Sequence, residues 1–198
     1  GIDPLQGGEI RLDGEKLRLG SPRDAIARGI YLVPEDRKRS GLILDLPIRE
    51  NTTLADLPAY ASWWLIGNAA ETTAAERLRR RLGIRAPSVD VEAVTLSGGN
   101  QQKVVLAKWL SMRPSLMIFD EPTRGIDVGA KAEIHRLMSE LAAQGLAVLM
   151  ISSELPEILG MSDRILVMRE GRIVAEFARA EADQETIANA MMRVGAAA

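Results

Sequence analysis

The chain has 198 residues, 46% of them hydrophobic, enough apolar surface for one substantial core or two small ones. Lys and Arg number 25 against 27 Asp and Glu, and a net charge of -2 gives no overall attraction to nucleic acid or an anionic bilayer. The absence of cysteine excludes disulfides and thiolate metal centres, no signal peptide is read, and no apolar run approaches the roughly 18 residues of a membrane span.

In chain order, Glu9 to Leu12 reads as extended, Asp13-Gly14 as a turn, and Ser21-Pro22 as the start of a helix that Gly29 ends. Ile30-Tyr31-Leu32-Val33 is an apolar run of the kind found in buried parallel strands, closed by Pro34. From Ile48 to about Val94 the periodicity weakens. Pro58, Gly67, Gly83 and Pro87 break this stretch into helical pieces such as Glu71 to Leu82, as expected of an inserted helical subdomain. Trp63-Trp64 beside Leu65-Ile66 is either a packing anchor or a partner-facing patch, and aromatic burial favours packing. Two basic runs, Arg37-Lys38-Arg39 and Arg77 with Arg79-Arg80-Arg81, read as solvated faces.

The second half alternates. Leu116 to Phe119 and Leu146 to Ile151 read as buried strands. Between them Val128 to Gln144 is a helix with Ile134, Leu137, Met138 and Leu141 on one face and Gly145 as its stop. Arg164 to Met168 and Arg172 to Phe177 pair as a hairpin across Glu170-Gly171, and a last helix spans about Asp183 to Met192. Strands alternating with helices imply an α/β protein with a parallel sheet.

Two stretches carry chemistry. In Leu96-Ser97-Gly98-Gly99-Asn100-Gln101-Gln102-Lys103 a serine and two glycines open a helix, where free N–H groups and close backbone approach suit a phosphate. On these residues alone, Ser97 as the simple cap of a buried helix is an equal reading. Leu116-Met117-Ile118-Phe119-Asp120-Glu121-Pro122 places two carboxylates just past a strand's carboxyl end, where open α/β sheets bind ligands. There Asp120 is suited to hold Mg²⁺, directly or through water, and Glu121 to polarise an attacking water; an acidic turn is the alternative. His135, the single histidine, is read as a helix-surface residue.

In order and spacing these segments resemble the ATPases of ABC transporters. Leu96 to Lys103 is similar to the signature motif, Leu116 to Glu121 to the second nucleotide-binding motif, and Gly125-Ile126-Asp127 to the D-loop. Val33-Pro34-Glu35-Asp36-Arg37-Lys38 stands where most of the family has a glutamine loop, with Glu35 at the glutamine position. With Asp120 to Gly129 and Ile151 to Glu157, it looks like the second ATPase half of the tandem subunits that energise ribose, galactose and xylose importers.

The resemblance implies a partial RecA-like P-loop NTPase core, the ABC ATPase fold, with an inserted α-helical subdomain and a peripheral β hairpin. Residues 1–47 would be a remnant of the first part of the core with the Q-loop, 48–95 the helical subdomain, and 96–198 the signature helix, carboxylate motif, D-loop, switch strand and carboxyl-terminal hairpin and helix. It further implies ATP and Mg²⁺ as cofactors. Glu121 would be catalytic and Asp120 the metal ligand. Ser97, Gly98, Gly99 and Asn100 would contact in trans a γ-phosphate held by a second ATPase half or subunit. Glu35 would act as Q-loop sensor and Asp127 across the dimer. The implied partners are that second half, membrane permease subunits and, indirectly, a periplasmic sugar-binding protein, with no nucleic acid. The implied location is cytoplasmic, peripheral on the inner face of the cell membrane.

Two departures qualify the expectation. Ser153 stands at the switch histidine position, which predicts a slow or degenerate composite site. No G-x-x-x-x-G-K followed by Ser or Thr occurs, so a chain cut before its phosphate loop is expected, inactive by itself within an active parent. An ABC clamp acting on DNA or ribosomes is the other alternative, disfavoured because 48–94 is too short and broken for coiled-coil arms.

Overall fold

Asp13 and Gly14 both take left-handed backbone angles (φ 51° and 81°), which turns the chain between strands β1 (Ile10–Leu12) and β2 (Glu15–Leu17) of an antiparallel hairpin. The structure, a computed structural model, describes residues 1–63 and 65–192, and the chain divides into two units, Gly1–Leu149 and Met150–Ala198. Helix α1 (Pro22–Ala27) starts with its proline in the first turn, and Gly29 (φ 74°) takes the chain out of it into β3 (Ile30–Val33).

A single π-helical turn over Arg37–Gly41 then leads to α2 (Ile48–Thr53) and α3 (Leu57–Tyr60). The two-residue strands β4 (Ala61–Ser62) and β5 (Leu65–Ile66) precede α4 (Asn68–Arg81). The first unit continues with α5 (Gly98–Leu110), β6 (Leu116–Asp120) and α6 (Val128–Ala143), and reaches β7 (Ala147–Ile151), within which the boundary at Leu149 falls.

The sheet runs β3-β6-β7. β3 and β6 are parallel, with Tyr31 opposite Met117 and Val33 opposite Phe119, so these four buried side chains share one face. Helix α5 packs on that face. Tyr31 stacks on Trp109 with ring centroids 5.1 Å apart, and its hydroxyl donates to the Met112 carbonyl. α5 is buried nearly all round because Val104, Val105, Leu106 and Ala107 meet neighbours on every side, and each branched side chain contributes about 1.5–3 kcal/mol by leaving water. On the opposite face Leu32 and Leu149 are about half exposed, so these strands are covered on one side, not on both as their unbroken apolar runs suggest.

The segment before α5 is mostly helical, with the short strands β4 and β5, and its order comes from buried polar groups. Asn51, fully buried, donates to the carbonyls of Ile43, Leu46 and Pro47 and accepts from the Ile43 N–H, clamping residues 43–47 onto α2. Glu71, also buried, accepts from Thr53 at 2.5 Å and lies 3.6 Å from the Arg49 guanidinium, which locks α4 against α2. The longest helix in this segment has 14 residues, about 21 Å, and no coiled-coil arm is present among the described residues.

Trp63 is 91% exposed, and Leu65 74%, so where the sequence predicts packing the structure places a surface feature, at the turn of a hairpin whose strands are two residues each and wholly exposed. Trp64 lies outside the described residues.

The second unit pairs β8 (Arg164–Arg169) with β9 (Arg172–Ala178) across the Glu170-Gly171 turn, and α7 (Leu155–Met161) and α8 (Gln184–Met192) complete it. Its core is Ile165, Val167 and Ile187, with Leu155, Ile158, Leu159 and Phe177 packed around them.

Candidate functional site

The candidate residues of the first unit gather where three chain segments meet: the loop after β3, the start of α5, and the loop between β6 and α6. Ser97 is the extended N-cap of α5, its hydroxyl accepting from the Asn100 N–H and, at 3.0 Å, from the Asn100 side-chain amide. The Asn100 side-chain oxygen Oδ1 in turn accepts from the Arg85 backbone N–H at 2.9 Å. Both readings of this serine hold together: it caps the helix and remains exposed at its tip.

The glycines have a steric reason. A Cβ at Gly98 would fall 2.7 Å from the Arg37 guanidinium and 3.3 Å from the Gly125 carbonyl; one at Gly99 would fall 2.5 Å from the Ala130 methyl in α6. Close approach to this chain's own segments therefore requires both glycines, whatever ligand they meet.

β6 ends at Asp120, and Glu121 follows in left-handed backbone (φ 45°), a conformation that costs a glutamate of order 1–3 kcal/mol. Asp120 and Glu121 are half-buried at the strand's carboxyl end, while Pro122 and Thr123 are buried beneath. Such strain at paired carboxylates is the kind of outlier that marks functional positions. Asp127 N-caps α6, accepting from the Ala130 N–H at 2.9 Å.

The loop after β3 closes the arrangement. Asp36 accepts from the Lys38 and Arg39 N–H groups, which shapes the turn. Glu35 forms an ion pair with Arg124, and Arg37 donates to the carbonyls of Arg124 (3.1 Å) and Gly125 (3.2 Å) and to the Gln101 side chain (3.4 Å). Burial pushes the Arg37 guanidinium below its ordinary value, opposed by the Asp36 charge. Arg37 is thus no solvated member of its basic run, whereas Lys38 and Arg39 are exposed. Sequence reasoning places it within a motif and misses its role; its position two residues after Glu35 is the available signal.

Behind the helix tip, Lys103 is buried. Its ammonium donates to the Gly83 carbonyl (2.9 Å) and to Glu133 of α6 (2.6 Å), which also pairs with Arg85 at 2.5 Å. The Lys103 hydrogen bond, more than the surrounding charges of Arg85 and Arg136, holds the Glu133 carboxyl below the usual range.

In the second unit Ser153 is exposed and precedes α7, while the neighbouring Ser152 hydroxyl bonds the buried Glu157 carboxylate. His135 is half-buried on α6 beside Ile134.

Comparison with known proteins decides the family. The profile of the ABC transporter family matches residues 1–124. The chain belongs to the ABC transporter family. Among its curated relatives, the ribose import ATP-binding protein RbsA of Rhodococcus jostii is 54% identical over 187 residues, 94% of this chain and 37% of that protein. The xylose import ATP-binding protein XylG of Geobacillus kaustophilus is 51% identical over 180 residues, 91% of this chain and 36% of that protein. The chain therefore spans little more than a third of the length of the curated relatives it matches.

The fold agrees with the family. A nucleotide-free ATP-binding cassette from an ABC transporter superposes with a TM-score of 0.77 at 22% identity, covering 96% of this chain and 75% of that one. A dimeric cassette in a post-hydrolysis state bound to ADP and Pi gives 0.73 at 22% identity, covering 90% and 76%. The α/β fold is that of an ABC ATPase.

As the metal that the family implies, Mg²⁺ suits the donors present. Hard carboxylate oxygens are its preferred protein ligands, one or two of them with phosphate and water oxygens completing the shell, and the half-buried Asp120 at the end of β6 would offer one. Among the described residues no cluster of three or more metal-ligating side chains would compete for it.

Proposed function

We propose that this chain is the part of an import ATP-binding subunit that acts on a nucleotide held by a second ATPase domain, and that the subunit energises uptake of a pentose or related sugar. The observation that carries this reading is the convergence on one surface of the α5 tip, Glu35 and the 124–127 loop, tied together by Arg37. The printed functions of relatives more than 50% identical support the sugar, and the dimeric state of the post-hydrolysis cassette supports the clamp.

In this scheme the N-terminus of α5 directs Ser97, the N–H groups of Gly98 and Gly99, and Asn100 at the γ-phosphate bound across the dimer, where helix-end donors favour negative charge. Bound Mg²⁺ supplies charge neutralisation of the phosphates, and Asp120 would hold it. Glu121 accepts a proton from the attacking water. Glu35 reports the nucleotide to the permease, Asp127 sits at the dimer boundary, and 48–95 is the helical subdomain that presses on the permease. The flanking 1–47 and 96–198 are core and switch segments. Cytoplasmic location at the inner membrane face follows from that partnership; among the described residues no helix is long and apolar enough to cross a membrane.

The phosphate cradle must be supplied from outside these 198 residues, so the chain alone is expected to hydrolyse no ATP. Ser153 makes the site it completes the slower of an unequal pair. The test is steady-state ATPase of the complete subunit with and without Glu121→Gln. ATP-dependent activity that this change lowers supports the reading, and an unaffected rate overturns it.

A further inference from the structure

We propose that Arg37 is a positioning residue that clips the 97–101 segment, the 124–127 loop and the Glu35 loop into one mechanical unit, so that a phosphate contact at the α5 tip is transmitted to Glu35. The role rests on the proposed function and adds to it a residue which the motif comparison leaves without assignment.

Its geometry is a closed ring. The Arg124 residue is held twice, its side chain by Glu35 and its carbonyl by Arg37, while Gly125 gives its carbonyl to the second arm of the same guanidinium. The third nitrogen reaches Gln101, itself buried and anchored through its amide to the Ala93 carbonyl at 3.1 Å. The guanidinium lies so close to the Gly98 Cα that a methyl there would meet it at 2.7 Å.

A planar fork with fixed donors is what such a clip requires. It bonds two successive carbonyls and a side-chain oxygen at once, which a lysine's single ammonium cannot reproduce. Movement of the α5 tip by a fraction of an ångström has to carry the 124–125 carbonyls with it, and through Arg124 the Glu35 carboxylate. Since the trans contact at Ser97–Asn100 is made only when the clamp closes, losing the clip slows the closed-state reaction without weakening initial ATP capture.

The experiment uses the complete ATP-binding subunit, with Arg37→Ala, Arg37→Met and Arg37→Lys assayed for kcat and KM for ATP, alongside melting temperature. We expect Arg37→Ala and Arg37→Met to lower kcat by about tenfold or more with KM for ATP within about twofold. Arg37→Lys, which keeps the cation and part of the bonding, should lie between them and the wild type. An Arg37→Ala kcat close to wild type overturns the role. So does equality of the Met and Lys variants, which would make bulk and not bonding the contribution, or a loss of kcat that follows the melting temperature across all three. A wild-type subunit without ATP hydrolysis overturns the proposed function itself; wild-type hydrolysis that Arg37→Ala leaves intact overturns this role alone.

Discussion

Lys103 and Glu133 illustrate how side chains of the signature helix serve the fold as well as any ligand. Lys103 is buried, and Glu133 is what makes its charge tolerable there. Because the folded-state pKa of Glu133 is depressed, its stabilisation is fully present above the ordinary glutamate value of about 4.3 and is lost as pH falls through the lower folded value. Glu133→Gln should therefore lower the urea midpoint at pH 7. The gap to wild type should shrink as the pH is taken from about 5 towards 3. A gap independent of pH would place the effect in packing. At Glu121 the left-handed backbone, followed by the buried Pro122 and Thr123, puts the carboxylate of the proposed catalytic residue where a glycine would be cheaper for the fold.

Among the described elements, α5 is the most completely buried. Leu106 is fully buried at its centre, and Leu106→Ala should destabilise the chain by about 3 kcal/mol in denaturant unfolding, whereas a change below about 1 kcal/mol would mean the site collapses around the gap. Asn51→Leu on α2 should also be costly, about 2–3 kcal/mol, because it strands the carbonyls of Ile43, Leu46 and Pro47. These two residues mark the limit of sequence reading. Val104 to Leu110 announces its burial by composition, and the strands at Ile30, Leu116 and Leu146 and the helix from Val128 to its Gly145 stop are visible in their apolar patterns. Asn51 looks like any polar helix residue, since its partners are carbonyls of a loop whose path only tertiary packing defines. Arg37 is hidden for the same reason: its acceptors at 124–125 lie 87 and 88 residues along the chain. Trp63 misleads in the other direction, because aromatic burial is a tendency of cores and a two-residue hairpin has none.

At the scale of the whole molecule, the chain presents its signature segment outward at a helix tip and keeps its carboxylates at a strand end. That division suits the proposed contact with a nucleotide held by a second domain. If Ser153 slows the composite site to which it contributes, Ser153→His in the complete subunit should raise the steady-state ATPase rate, and an unchanged rate would count against an unequal pair. The most direct measurement is ultraviolet photocleavage of the complete subunit after trapping with MgATP and vanadate, because vanadate in the γ-phosphate position cuts the backbone it touches. Cleavage between Ser97 and Asn100, lost when ATP is omitted, is the predicted result. Trapped vanadate that cuts the protein elsewhere and leaves this segment intact would contradict a γ-phosphate contact by the α5 tip.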